Sequence, residues 1–213
     1  SVYFWNDKLP NRYSITKNAL KSEIFVMGLP HYNKKQLKEI CLQHATKFHA
    51  QFANVAERSE QTIIKNIANG LYAEIEVFLH LKREGYEVRM AWAEGDDLGI
   101  DIQLFIHNTW LNIDVKSTKT TDLKIAKNRK ETDFYAVCTW NRGQVILEGF
   151  LFKYYFWKSD ILNTIAPTQK NDMYYKPLSE IKKLLVDIDD IYEPYNKYRT
   201  LNMKRGTRLF NAQ

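Results

Sequence analysis

The sequence predicts a mixed α/β domain, and three observations carry that expectation. Apolar residues recur at helical spacing through residues 34–48 and 71–84, two adjacent segments at 99–107 and 110–117 alternate apolar with polar side chains, and strand-like runs follow at 134–140 and 144–150. With 213 residues and 45% hydrophobic content, the chain can bury one core and an elaboration of it.

Residues 1–30 are mixed and aromatic, and Gly28-Leu29-Pro30 interrupts any regular element. A helix is expected from Lys34 to Phe48, with Leu37, Ile40, Cys41, His44 and Phe48 on one face, and a second from Val55 to Ala68, with Gly70 as a break. These form an expected helical arm over residues 1–69. From Leu71 to Glu84 the pattern is clearest: Leu71, Ile75, Phe78 and Leu79 share a face, and Gly85 supplies the stop. At 100° per residue Glu74 falls inside that apolar arc and Glu76 outside it. A carboxylate aimed toward a core is costly unless paired or bound to a cation, so Glu74 is a candidate functional group; its plainer role is an edge residue whose head reaches water.

Tyr86 to Trp92 reads as a strand, followed by the turn Glu94-Gly95-Asp96-Asp97. Residues Gly99–His107 and Trp110–Ser117 read as a hairpin closed at Asn108-Thr109. That loop pairs Ile106 with Leu111, Leu104 with Ile113 and Ile102 with Val115 on an apolar face. On the other face it sets Phe105 against Asn112, Gln103 against Asp114 and Asp101 against Lys116. Asp101, Asp114 and Lys116 thus gather on one side of the sheet. Thr118–Lys130 is read as a polar, basic loop or short helix capped by Asp122. Strands Phe134–Trp140 and Gln144–Phe150 flank the turn Asn141-Arg142-Gly143, Lys153–Ile165 and Ser179–Leu185 are expected helices, and the Tyr-rich, basic end from Tyr192 is an arm or packed tail.

Two carboxylates on neighbouring strands can share a hard cation such as magnesium, which takes oxygen ligands. Such an ion can offset charge on a phosphate and acidify a water, and a lysine beside it can position that water or stabilise the developing charge. The plainer reading of the trio is a surface cross-strand salt bridge worth about 0–1 kcal/mol.

These stretches together, Glu74 leading to Gly85-Tyr86, then Gly99-Ile100-Asp101, then Asp114-Val115-Lys116, resemble the PD-(D/E)XK nuclease superfamily, the restriction-endonuclease-like fold. The resemblance covers about residues 70–150. It departs from the common pattern at Ile100, where Pro is nominal, and at Asp114, where Glu is commoner. The core is expected over residues 70–165 and a helical and basic extension over 166–213, and the resemblance implies an αβββαβ order with a mixed sheet for that core and metal-dependent hydrolysis of nucleic-acid phosphodiesters. It further implies Asp101 and Asp114 as metal ligands, Lys116 as the catalytic lysine and Glu74 as the helix carboxylate that joins them at the metal. The expected cofactor is Mg2+, with Mn2+ the alternative.

Net charge of +6 is unevenly divided: residues 1–70 hold ten Lys/Arg against five Asp/Glu, 191–213 hold five against one, and 71–190 hold sixteen against nineteen. A slightly acidic centre between basic flanks suits a polyanionic substrate, expected to be DNA, with RNA an undistinguished variant. Lys119, Lys124, Lys127, Arg129 and Lys130 are candidate phosphate contacts, or equally a solvated face. Asp187, Asp189 and Asp190 match no calcium loop and are expected to be solvated, and the five histidines show no metal-ligand spacing beyond a poor His44/His49 pair. Cys41 and Cys138 suggest neither a disulfide framework nor a zinc site. No run approaches the roughly 18–20 apolar residues of a membrane span, and Ser1–Pro10 does not resemble a signal segment, so a cytoplasmic protein is expected. Cutting both strands of a duplex would call for a homodimer. The competing functions are a non-cutting nucleic-acid-binding protein that keeps this fold and a structural or interaction protein with basic flanks.

Overall fold

The computed structural model describes residues 31–48, 59–90, 100–126, 132–158, 164–165 and 173–200. Helix α1 (Lys34–Phe48) begins at a reciprocal cap, in which the Asn33 side chain accepts from the Gln36 amide at 3.0 Å and the Gln36 side chain accepts from the Asn33 amide at 2.9 Å. Its Leu37, Ile40, Cys41 and His44 are buried as expected from their spacing, Ala45 joins them, and the side chain of Phe48 lies outside what is described.

Helix α2 (Glu60–Arg83) corrects the expectation of two helices broken at Gly70: it is one helix of 24 residues, capped by Ser59, and Gly70 lies inside it. A glycine inside a helix costs about 1 kcal/mol relative to alanine. Ile63, Leu71, Ile75, Phe78 and Leu81 are buried along the same helix, and their packing outweighs that local preference. The far end stops as expected. Gly85 takes φ +87°, its amide donates to the Lys82 carbonyl, and the Tyr86 amide donates to the Leu81 carbonyl.

Strands β1 (Glu87–Met90), β2 (Ile102–Ile106), β3 (Thr109–Thr118), β5 (Phe134–Asn141) and β6 (Gln144–Phe152) form one five-stranded sheet in the order β1-β2-β3-β5-β6. The first three run as an antiparallel meander, β5 lies parallel to β3, and β6 returns antiparallel. Helix α2 packs across the meander. This is the mixed α/β sheet that was expected, but among the described residues no α-helix lies between β3 and its parallel neighbour β5, where the αβββαβ order calls for one.

The hairpin is closed one residue earlier than expected, at His107-Asn108, whose φ values of 46° and 59° give a primed two-residue turn that matches strand twist. Ile102 therefore pairs with Ile113, Leu104 with Leu111 and Phe105 with Trp110. The register moves by two residues, an even step, so every side chain keeps its face.

A second correction concerns Thr118–Lys130. Instead of a helix capped by Asp122, residues Asp122–Ala126 form strand β4, with Leu123 and Ile125 buried and Lys124 exposed between them. It pairs antiparallel with β8 (Met173–Pro177), which also pairs with β7 (Thr164–Ile165), giving a small second sheet. The helix expected over Lys153–Ile165 shortens to α3 (Lys153–Lys158), because Thr164–Ile165 joins that sheet. Beyond β8, α4 (Leu178–Ile181) continues into a 3-10 turn at Lys182–Leu184, and residues 192–200 form helix α5, whose Tyr198 stacks on Tyr154 at 3.8 Å.

The large sheet separates two cores. On one side Ile102, Leu104, Leu111, Ile113, Phe134, Ala136 and Phe150 pack with Leu37 and Cys41 of α1 and Leu71, Ile75 and Phe78 of α2. On the other, Tyr135, Val137 and Leu151 pack with Leu123, Ile125, Phe156 and Ile181. No helix among the described residues is long and apolar enough to cross a membrane.

Candidate active site

The β2–β3 ladder ends at Ile102–Ile113, because β2 begins there while β3 continues to Thr118. One step beyond stand Asp101 and Asp114. The Asp101 amide donates to the Ile113 carbonyl at 2.9 Å, and its carboxylate Oδ2 accepts from the Val115 amide at 2.8 Å, a donor that β2 no longer reaches. Asp101 is thus locked by backbone at both ends of its residue. Asp114 lies on the face opposite α2, and its Oδ1 accepts from Lys116 Nζ at 2.7 Å. Lys116 follows two residues later on the same strand and therefore on the same face.

Both carboxylates are buried, Asp101 at 5% and Asp114 at 2% exposure. They stand within hydrogen-bond reach of each other, a contact that needs a proton on Asp114, and Asp114 Oδ2 has no other hydrogen-bond partner among the described residues. Burial holds the Asp114 carboxyl well above the ordinary carboxylate range; Lys116 opposes that shift and Asp101 adds to it. The site accordingly contains two carboxylates, one ammonium and one unsatisfied oxygen. That donor set fits a hard divalent cation such as Mg2+, which would satisfy the oxygen and the excess negative charge together.

Behind Asp114, its β5 neighbour Tyr135 is fully buried and accepts from Trp157 Nε1 at 3.0 Å, closing the site off from the second core. Burial pushes the Tyr135 hydroxyl up, and the Asp114 charge adds to that. Along the open part of the same sheet face, Arg89 Nε donates to Gln103 at 2.8 Å and Gln103 donates to Asn112 at 2.8 Å, while the Arg89 guanidinium lies 4.1 Å from the Trp110 ring centroid. Tyr135, Arg89, Gln103 and Asn112 are absent from the candidates drawn from sequence. Strand parity relative to Asp114 would have found Asn112 and Gln103; Tyr135 and Arg89 needed the β3–β5 and β1–β2 pairings.

Asp101, Asp114 and Lys116 are therefore brought together. Glu74 is half-buried on α2, near enough to Cys41 that its charge, after burial itself, helps push that thiol up. Among the described residues no three His, Cys, Asp or Glu side chains converge at metal-ligand distance, so Glu74 is not gathered with the two aspartates into a three-carboxylate cluster. Glu76, outside the apolar arc, is half-buried and takes a hydrogen bond from the Tyr72 hydroxyl, whose ionisation is made harder first by burial and then by that bond. Lys119 is exposed just beyond β3 with its Nζ 4.4 Å from the Trp140 ring centroid, and Lys124 is exposed on β4 in the second sheet, so the two belong to different surfaces. Lys127, Arg129 and Lys130 lie outside the described residues, as do Asp96 and Asp97. Asp187, Asp189 and Asp190 are exposed, and Asp189 accepts from the Tyr86 hydroxyl at 2.7 Å.

Strand order and direction define the class of fold, a mixed α/β domain with β5 parallel to β3 inside an otherwise antiparallel sheet. Two solved structures similar to the chain are the Holliday junction resolvase Hjc of Archaeoglobus fulgidus, at 16% identity and TM-score 0.40 over 58% of this chain and 94% of that one, and the bacterial homing endonuclease I-Ssp6803I, at 20% identity and TM-score 0.27 over 38% of this chain and 63% of that one. No protein-family model and no curated protein sequence matches the chain.

Proposed function

We propose that the protein is a Mg2+-dependent endonuclease that hydrolyses DNA phosphodiester bonds at Asp101, Asp114 and Lys116. The observation that supports this most directly is the buried Asp101–Asp114 pair, with an unpartnered oxygen on one carboxylate and a lysine on the other. Buried like charges of this kind are destabilising unless something else uses them, and a divalent cation is the partner their oxygens suit. When bound, Mg2+ supplies charge neutralisation at the phosphate and an acidified water.

The chain's own residues do the rest. Asp101, held by the Val115 amide, and Asp114, held by Lys116, present fixed oxygens to the cation. Lys116 is half-exposed and carries the positive charge that offsets charge growing on the scissile phosphate, while aligning the attacking water. Tyr135 and Trp157 keep bulk water from entering behind Asp114. No side-chain nucleophile is required.

Incubation of supercoiled plasmid with and without Mg2+ tests this reading, with linear duplex, single-stranded DNA and RNA run alongside. Wild type is expected to cut in Mg2+ and to be silent in EDTA; an Asp114→Asn protein that still cuts would remove the mechanism. A second reading is favoured by one observation, the absence of a third gathered carboxylate among the described residues: a nucleic-acid-binding protein that does not cut. Under it, plasmid would be retarded but remain supercoiled at every Mg2+ concentration.

A further inference from the structure

A concave cavity of about 520 Å³ opens between α1, the N-terminal half of α2 and the end of β3, on the helix side of the sheet. Its rim carries Lys38, Lys65 and Lys119, and its wall carries Tyr72, Trp140 and Asn69. Among the described residues no carboxylate lines it. Lys38 Nζ is held by the Gly143 carbonyl at 2.7 Å and lies 5.2 Å from the Tyr72 ring centroid; Lys119 Nζ rests over Trp140. The two rings are 5.9 Å apart and inclined by 31°, so they form one aromatic surface. The lysines sense each other: partial burial first, then the charges of Lys65 and Lys38, make Lys119 easier to deprotonate. Glu74 and Glu76 act on Cys41 and Tyr72 of the lining without lining it themselves, and the three rim lysines suit an anion; the volume is that of a small-ligand pocket, roughly 300–1,000 Å³.

We infer that this cavity is a second nucleic-acid site, which takes one unstacked nucleotide of a single strand, its phosphates at Lys65, Lys119 and Lys38 and its base against Trp140. Charge alone would suit any phosphate, but a phosphate does not use an aromatic wall; a base does, and a convex duplex cannot enter a concave site to offer one. Lys119 covers Trp140 in the free protein, and turning it onto a phosphate uncovers the ring for stacking. Lys119 stands just beyond the end of β3, on the helix side of the sheet, whereas Lys116 faces the other side, so the cavity is a site separate from the carboxylate pair. The inference takes nucleic acid as the ligand class from the nuclease reading, but not cleavage.

Fluorescence anisotropy of a labelled, 5′-phosphorylated oligothymidylate and of a blunt duplex of equal length, both in EDTA, tests it. Lys65→Ala combined with Lys119→Ala is expected to weaken single-strand binding at least tenfold and to reduce the salt slope by about 1.4, at roughly 0.7 per lost contact, with duplex binding changed less than threefold. Trp140→Phe should weaken single-strand binding severalfold with the salt slope unchanged. Equal losses on strand and duplex, or no loss on either, would overturn the site. So would displacement of the oligothymidylate by inorganic phosphate or by polyglutamate at matched charge, which would mark a general anion or acidic-peptide surface. Because binding is read without metal, a chain that fails to cut plasmid can still pass this test, and one that cuts can fail it.

Discussion

The two faces of the large sheet are made from alternate residues of the same strands, yet they differ in what they tolerate. On the helix face of β2 and β3, Ile102, Leu104, Leu111 and Ile113 are fully buried against α1 and α2, and nothing there needs a partner. One residue over, the opposite face holds Asp114 at 2% exposure with an unpartnered oxygen, and Lys116, Asn112 and Gln103 beside it. The first face lowers the free energy of the fold, and the second spends part of that gain on charges that packing alone would reject. A stable helical face is what allows an unfavourable carboxylate pair to persist on the other side.

Separating the faces by substitution gives effects of decreasing size. Asp114→Asn should reduce plasmid cleavage by about a thousandfold or more while leaving the thermal midpoint unchanged or higher, since it removes a buried like-charge contact. Phe78→Ala on the helix face should do the reverse: a loss of about 3–5 kcal/mol in urea titration, with cleavage per folded molecule preserved. Lys116→Met tests both at once, because it leaves Asp114 without its counter-charge; it should abolish cutting and lower stability by about 2–3 kcal/mol. Added Mg2+ should raise the stability of wild type by about 1.4 kcal/mol at tenfold over its dissociation constant, and that of Asp114→Asn by much less. A wild type indifferent to Mg2+ would put the charged face on the same footing as the apolar one.

The smallest effect is expected at Glu148, away from both. Its carboxyl is held below the ordinary range first by the Thr139 hydroxyl and then by Lys182, 2.9 Å away. A lowered folded-state pKa stabilises above the unfolded value and is lost as pH falls through the lowered one. Glu148→Gln should therefore cost less than about 1 kcal/mol at neutral pH, given solvent screening, and nothing once the wild-type group is protonated in acid. Stability of both proteins measured at neutral and acid pH checks the sign.

Much of this division was readable from residue order. The period-two alternation of the hairpin assigned Asp101, Asp114 and Lys116 to one face, and the assignment survived a wrong turn position because the slip was even. The turn itself was missed because Asn108 was expected to open it with Thr109 behind, whereas Asn108 is the second turn residue and His107 the first. Leu123 and Ile125 did carry strand alternation, but the basic residues around them and Asp122 as a ready cap suggested a helix, and only pairing with β8 decides otherwise. Gly70 misled for a related reason: a local preference of about 1 kcal/mol cannot reveal how much apolar area the surrounding turns will bury. The cavity rim was invisible, since Lys38, Lys65 and Lys119 sit on three separate elements and meet only after folding.

The small sheet has a consequence for the order in which the molecule can assemble. Leu123 sits opposite Lys176 and Ile125 opposite Tyr174, so β4 must wait for a partner made only after β5, β6 and α3 have left the ribosome. The five-stranded sheet has all its strands by Phe152, whereas the layer behind Tyr135 closes late, by a long loop closure with its attendant entropy. Tyr135 and Trp157, which stand behind Asp114, belong to β5 and α3, so the carboxylate pair and the wall at its rear are made before the small sheet can close.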